Sequence, residues 1–319
     1  MKDSNMRIEK LEYKVIETDP EDSLSKVIVA IKPIGVTSHD VVDFFRHELN
    51  TRKVGHAGTL DPFAKGELIV ASGKFTKTLD SYLELPKKYY FKGVVGIKTL
   101  SGDNQEDVRD IDPKYFISNL HSNLNIDLEE LKKSVVTKLD KYLLKYVQNV
   151  PVFSSVKVAG YKLRELARSY PNFKVINTSD LTSTELTYYC RSMLTQEEDI
   201  INKSEERQIV IFNKISGELV VLIPERECKI YGYKDIEINL IETEDVLKYS
   251  SKTFSDSLNK LLINKKEGEE YKYISVEGLV TVESGTYIRA LIEDLCKDAF
   301  DSFGTLYYLN REYDLNFVK

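Results

Sequence analysis

The segment Gly55 to Gly66, GHAGTLDPFAKG, gathers three glycines, a histidine and an aspartate into twelve residues. Glycines at 55, 58 and 66 permit positive φ and let another backbone approach closely, although any tight turn would use them equally well. Asp61 precedes Pro62. Proline biases the residue before it toward an extended conformation and removes an N–H that could have bonded the carboxylate locally, so the side chain is expected to point outward. An outward carboxylate can attack, abstract a proton or pair with a cation, or it can simply satisfy a turn. The segment lacks the Gly-Lys-Ser/Thr of a phosphate-binding loop, having Gly66-Glu67-Leu68 instead, and the chain has no G-x-S-x-G elbow.

The elements around this loop follow from periodicity. KVIVAIKP reads as a buried strand, and Ser38 is expected to cap a helix in which Val41, Val42, Phe44, Phe45 and Leu49 recur at helical spacing. ELIVASG and YYFKGVVGI read as strands, KTLDSYLEL as a helix, and Leu128 to Tyr146 as a long amphipathic helix. FSSVKV is expected to be a strand and YKLRELARSY a short helix stopped by Pro171. LVTVESGTYIRALIEDLCKDA reads as a strand, a Gly285 turn and a helix with Ile288, Leu291, Ile292 and Leu295 on its buried stripe. The class is α/β, without the regular beat of a doubly wound sheet. Residues 169–225 differ in composition, being rich in Asn, Ser, Thr and acids around the hairpin-like RQIVIFNKISGELVVLIP, and read as an insertion.

With 319 residues, 42% hydrophobic and 30% charged, the chain has an ordinary globular composition. No apolar stretch has the length of a signal peptide or of a bilayer span, which makes a cytoplasmic location the expectation. Cys190, Cys228 and Cys296 are odd in number and widely spaced, arguing against a disulfide framework or a zinc site; they are expected to be reduced and mostly buried. The net charge of −6 argues mildly against a protein working by bulk attraction to polyphosphate. Two local runs are nevertheless basic: VKVAGYKLRELAR, with Lys157, Lys162, Arg164 and Arg168 against Glu165, and PKKYYFKGVVGIK, with Lys87, Lys88, Lys92 and Lys98. Such runs are solvated faces as readily as binding surfaces.

Five ordered blocks go further than composition. KPIGVTS (Lys32 to Ser38), GHAGTLDPFAKG, Tyr89 within KKYYFKGVVG, QNVPVFSSVKVAGYKLRELAR and SGTYIRALIEDL together resemble the TruB family of pseudouridine synthases. The resemblance implies a pseudouridine synthase catalytic fold, with a mixed, largely antiparallel sheet flanked by helices around a central RNA-binding cleft. The catalytic domain would comprise 27–168 and 226–319, with 1–26 an N-terminal extension, 169–225 an insertion, and no C-terminal PUA domain. The implied reaction isomerises uridine to pseudouridine in the T loop of tRNA, at position 55, with no cofactor and no metal. The A-x-G within GHAGTLDP is closer to stand-alone members than to guide-RNA-dependent relatives.

By motif, Asp61 acts at the ribose, Tyr89 lies against the target base, and Arg289 pairs with and orients Asp61. His56 fills the space left when the target base is flipped out, offsetting part of the few kcal/mol that extrusion costs. Lys32 and Lys157 would support the loop and the RNA phosphates, and Gly55, Gly58, Thr59, Tyr287 and Leu309 would also contact RNA. Both basic runs then become parts of one RNA-facing groove. The partner is tRNA, engaged at its T arm by a monomer needing neither a membrane nor an obligatory protein partner. The pattern departs from the family at Thr99-Leu100-Ser101-Gly102-Asp103, which has one acid fewer, and at Val150 and Phe153, which replace a proline and a tyrosine. A tRNA-folding chaperone with secondary or no catalysis is the alternative, separable by whether Asp61, Tyr89 and Arg289 matter to the RNA product.

Overall fold

A computed structural model describes residues 8–118, 126–154, 156–158, 161–169, 172–177, 198–203, 209–213, 218–223, 225–262 and 270–313. Nine strands form the main sheet: β1 (Tyr13–Thr18), β2 (Lys26–Lys32), β3 (Val54–Ala57), β4 (Lys65–Ser72), β5 (Lys87–Val95), β6 (Phe116–Ser118), β7 (Ile230–Glu242), β8 (Tyr271–Val282) and β9 (Gly304–Tyr313). Their order is β1-β2-β4-β9-β5-β8-β7, with β3 added to β4 and β6 to β8. Every pairing in it is antiparallel except β9 with β4, where Asn310 faces Lys65 and Arg311 faces Gly66. The sheet is therefore mixed and largely antiparallel.

Alternation along β5 explains how the sheet is covered. Tyr89, Phe91 and Val95 join the largest core cluster, whereas Val94 points to the other face. Two helices cover the first face: the long helix Leu128–Leu144, and the helix following the Gly285 turn, Ile288–Phe300. The latter buries Leu291, Ile292 and Leu295 completely. Each such side chain contributes roughly 1.5–3 kcal/mol by leaving water, which makes this helix a rigid support for Arg289. Helix α1 (Ser38–Glu48) packs Val41, Val42 and Phe45 against Ile28, Ala30, Leu68 and Val70.

The expected helix after β2 is present, but its N-cap is Thr37 rather than Ser38. Thr37 has extended dihedrals, its hydroxyl accepts from Asp40 N–H, and Asp40 accepts from Thr37 N–H in return. Ser38, one residue inside, is free for another task. Among the described residues of FSSVKV only Lys157–Val158 is a strand, and Leu79–Leu83 is the only α-helical part of KTLDSYLEL. Cys228 and Cys296 are buried free thiols, while Cys190 lies outside the described residues.

Strands Tyr146–Gln148 and Arg226–Cys228 pair antiparallel, so the chain leaves and rejoins the main body at adjacent points. Between them lies a separate four-stranded sheet, in the order Asn172–Asn177, Glu218–Ile223, Ile209–Asn213, Glu198–Lys203. Val221 and Ile223 of this sheet pack in one cluster with Val150, Val158, Leu163 and Leu166.

Candidate active site

Asp61 sits between β3 and β4 in a turn closed by Ala64 N–H donating to Asp61 O at 3.1 Å. The loop is held from several sides. Ser38 Oγ accepts from Leu60 N–H at 2.9 Å and donates to Leu60 O at 3.2 Å. Pro62 O accepts from Gly35 N–H at 2.8 Å and from Lys32 Nζ at 3.3 Å. Arg311 donates to the carbonyls of Gly58 and Thr59. With its neighbours fixed, Asp61 keeps its side chain 37% exposed and directs it toward the helix after Gly285.

Arg289, in the first turn of that helix, meets it. Its Nε lies 3.1 Å from Asp61 Oδ2, and its side chain is only 4% exposed. The same guanidinium donates to Ser101 O at 2.6 Å and to Phe153 O at 2.9 Å, and Nη1 lies 3.5 Å from Asp103 Oδ2. A planar fork suits such divergent partners, and the partners offset the cost of burying the charge. Asp103 is held in turn by Ser101 Oγ at 2.8 Å and Gln105 N–H at 3.1 Å. Burial raises its carboxyl pKa against the opposing pull of Arg289. The altered 99–103 block thus supplies a second carboxylate to Arg289, a role not assigned to Asp103 from the sequence. A cavity of about 200 Å³ opens beside Arg289, lined in part by Leu100, Asn149, Val150, Val152 and Glu293.

Tyr89, on β5, stands opposite Arg311 of β9 and Val280 of β8 and is nearly buried. Tyr287 is the N-cap of the Arg289 helix, and its N–H donates to Gln148 Oε1 at 3.0 Å. Burial raises the Tyr287 phenol pKa, keeping it a neutral hydrogen-bonding group. His56 is partly buried, with Nδ1 unpartnered among the described residues. Burial, followed by the charges of Arg311 and His39, lowers its pKa, leaving a neutral ring at pH 7. Thr59 and Lys157 are exposed.

Several sequence-based placements need correction. Lys32 is fully buried; its ammonium donates to the carbonyls of Pro33, Val36 and Pro62, so it supports the loop and does not reach RNA phosphates. Leu309 is 5% exposed within the main core, not on an RNA-facing surface. The close approach anticipated at the glycines is made by the chain itself. A Cβ on Gly66 (φ +121°) would lie 2.2 Å from Arg311 O, and one on Gly58 (φ +80°) would lie 3.3 Å from Tyr313 Oη. At Gly55, the neighbour is the Leu79 side chain. Within the second basic run, Lys87 is buried against Leu83 O and Leu85 O, and Lys92 pairs with Glu277 at 2.6 Å, so these two ammonium groups are engaged within the protein.

The fold and site define an α/β protein with a loop aspartate clamped by a helix-borne arginine that also lines a cavity. Residues 46–197, just under half of the chain, match the TruB family pseudouridylate synthase (N terminal domain). A tRNA pseudouridine synthase B of Thermotoga maritima is 38% identical over 151 residues, 47% of this chain and 43% of the relative. One from Thermosipho melanesiensis is 40% identical over 138 residues, 43% of this chain and 40% of the relative. The chain thus spans under half the length of these curated relatives. A longer match, to tRNA pseudouridine synthase B of Caldicellulosiruptor saccharolyticus, is 28% identical over 301 residues and covers 79% of this chain and 98% of that protein. Among solved structures, a chain from a Cbf5-Nop10-Gar1 complex aligns over 95% of this chain and 57% of its own, at 18% identity and a TM-score of 0.42.

Proposed function

We propose that this protein isomerises uridine to pseudouridine in the T loop of tRNA, at position 55, acting alone as a cytoplasmic monomer. The observation that carries the reading is the Asp61–Arg289 pair, 3.1 Å apart, with the aspartate in GHAGTLDP and the arginine in GTYIR. Named relatives of this chain are tRNA pseudouridine synthases B.

In the proposed reaction the bond from ribose C1′ to uracil N1 breaks, the base turns, and C1′ joins to C5, while C5 loses a proton and N1 gains one. Atoms and electrons balance within the substrate. Asp61 acts at the ribose, held by a charge-assisted bond from Arg289 so that little reorganisation is needed. Tyr89 lies against the target base and accepts a proton at one step. His56, neutral, replaces the extruded nucleotide in the stack. Tyr287, Gly55, Gly58, Thr59 and Lys157 contribute to the RNA-facing surface, which recognises the folded shape and splayed bases of the loop.

The test is incubation of the protein with unmodified tRNA transcript, followed by carbodiimide labelling and primer extension. A single stop in the T loop is expected. Asp61→Asn preserves shape but not nucleophilicity or charge; it should bind tRNA while losing activity by on the order of 10⁴-fold. Wild-type turnover in that variant would overturn the assignment of Asp61. Binding of tRNA without any stop would favour the folding-chaperone reading.

A further inference from the structure

Arg311 is 1% exposed, yet its hydrogen bonds among the described residues all go to main-chain carbonyls. Nε donates to Glu67 O at 3.0 Å, Nη2 to Gly58 O at 3.0 Å, and Nη1 to Thr59 O at 3.3 Å. Taking a guanidinium out of water to meet only neutral acceptors is costly, and an apolar side chain of similar volume would fill the space at less expense. What the fork provides is geometry. It joins the strand after the loop, at Glu67, to the two residues just before Leu60 and Asp61.

The neighbouring contacts extend the grip. Tyr313, two residues further along β9 on the same face, donates its hydroxyl to Ala57 O at 2.7 Å, and its own N–H donates to Glu67 Oε2 at 2.6 Å. The carbonyls of 57, 58 and 59 are therefore all tied to the end of β9. That strand pairs on its other side with β5, where Arg311 is opposite Tyr89. One residue thus links the loop carrying Asp61 to the strand carrying Tyr89. Gly66 makes the link possible, because the backbone of Arg311 occupies the position its Cβ would take.

We propose that Arg311 is a positioning residue for the reaction: by clamping the Gly58 and Thr59 carbonyls it holds Asp61 in place relative to Tyr89 and Arg289. This rests on the pseudouridine synthase reading. Displacing a reacting group by about 1 Å is sufficient to cost about 10²-fold in rate, so the loss falls more heavily on the chemical step than on RNA affinity.

The experiment compares wild type with Arg311→Met, Arg311→Lys and Arg311→Ala. Single-turnover rate on tRNA transcript, tRNA Kd, thermal stability, and hydrogen exchange of a peptide spanning 55–63 are measured for each. Arg311→Met should lose about 10²-fold in single-turnover rate with a much smaller change in tRNA Kd, and its 55–63 amides should exchange faster. Arg311→Lys retains charge without the fork and should fall between the two; it serves as the test variant if Arg311→Met does not fold. Millimolar guanidinium should restore part of the rate of Arg311→Ala, whereas an equal concentration of NaCl should not. A wild-type rate in Arg311→Met, or in Arg311→Lys where that is the test variant, would overturn the proposal. So would rate and affinity lost together with no guanidinium rescue, which would make the role purely structural. An inactive wild type would instead overturn the pseudouridine synthase reading, while hydrogen exchange would still report whether Arg311 holds the loop.

Discussion

Arg289 Nε and Asp61 Oδ2 are 3.1 Å apart, joining residues separated by most of the chain through one buried guanidinium whose opposite side faces Asp103. Removing the arginine would leave the Asp103 carboxyl buried without its cation. Arg289→Gln is expected to lower unfolding stability by about 3–5 kcal/mol at pH 8, read from urea denaturation. Burial already raises the Asp103 pKa, and loss of Arg289 would raise it further. The folded variant then binds a proton more readily than the unfolded chain does, so its deficit should narrow as pH falls toward 5. A deficit independent of pH would show that Asp103 is not the source of the cost.

Ser38 both donates to and accepts from the backbone of Leu60, adjacent to Asp61. In Ser38→Ala, the Leu60 N–H and C=O lose these partners. We expect a loss of about 1–3 kcal/mol in stability, with a reduced turnover number and little change in tRNA affinity. Steady-state kinetics on transcript, alongside urea denaturation, separate these effects.

Gly66 has φ +121°, and the Arg311 backbone occupies its Cβ position. Gly66→Ala should break the parallel β4–β9 pairing and cost several kcal/mol, on the scale of strained backbone combined with steric overlap. Alanine at Gly35, also at positive φ but with open space where its Cβ would lie, should cost less. Thermal melts of the two variants test the ordering.

His56 has its pKa lowered first by burial and then by Arg311 and His39. The folded state therefore binds fewer protons at this site than the unfolded state does as pH passes below the ordinary histidine value of 6.5. Stability attributable to a neutral His56 is retained at pH 7.5 and lost through that lower range. Relative to His56→Gln, the wild-type melting temperature should drop when pH falls from 7.5 to 5. A constant difference between the two proteins would contradict the lowered pKa.

Elements governed by near neighbours in the chain are legible in the sequence. The strand at Lys26–Lys32, helix α1, the helix Leu128–Leu144, and the strand, Gly285 turn and helix carrying Arg289 all follow from periodicity and turn chemistry. The Asp61 and Arg289 segments can also be singled out, because each motif is local. The cap at Thr37 in place of Ser38 shows the limit of that reading: both hydroxyls suit the position, and only the Leu60 backbone, brought in from 22 residues away, assigns one to each task.

Charge placement is harder to read. Lys32, Lys87 and Lys92 have the composition of a basic surface, yet two are buried against carbonyls and the third is paired with Glu277. A usable signal does exist at Arg311, since Leu309, Arg311 and Tyr313 alternate onto one face of β9 and Leu309 is a core residue. The sequence by itself determined which residue types stand in each local element and which motifs they form, because φ/ψ preference and hydrophobic period act over a few residues. The tertiary structure alone decided that Arg289 would lie between two carboxylates, that Arg311 would grip the Asp61 loop, and that the glycines would accommodate this chain's own atoms. Each depends on strand register and packing between segments up to about 250 residues apart, for which local preference carries no information.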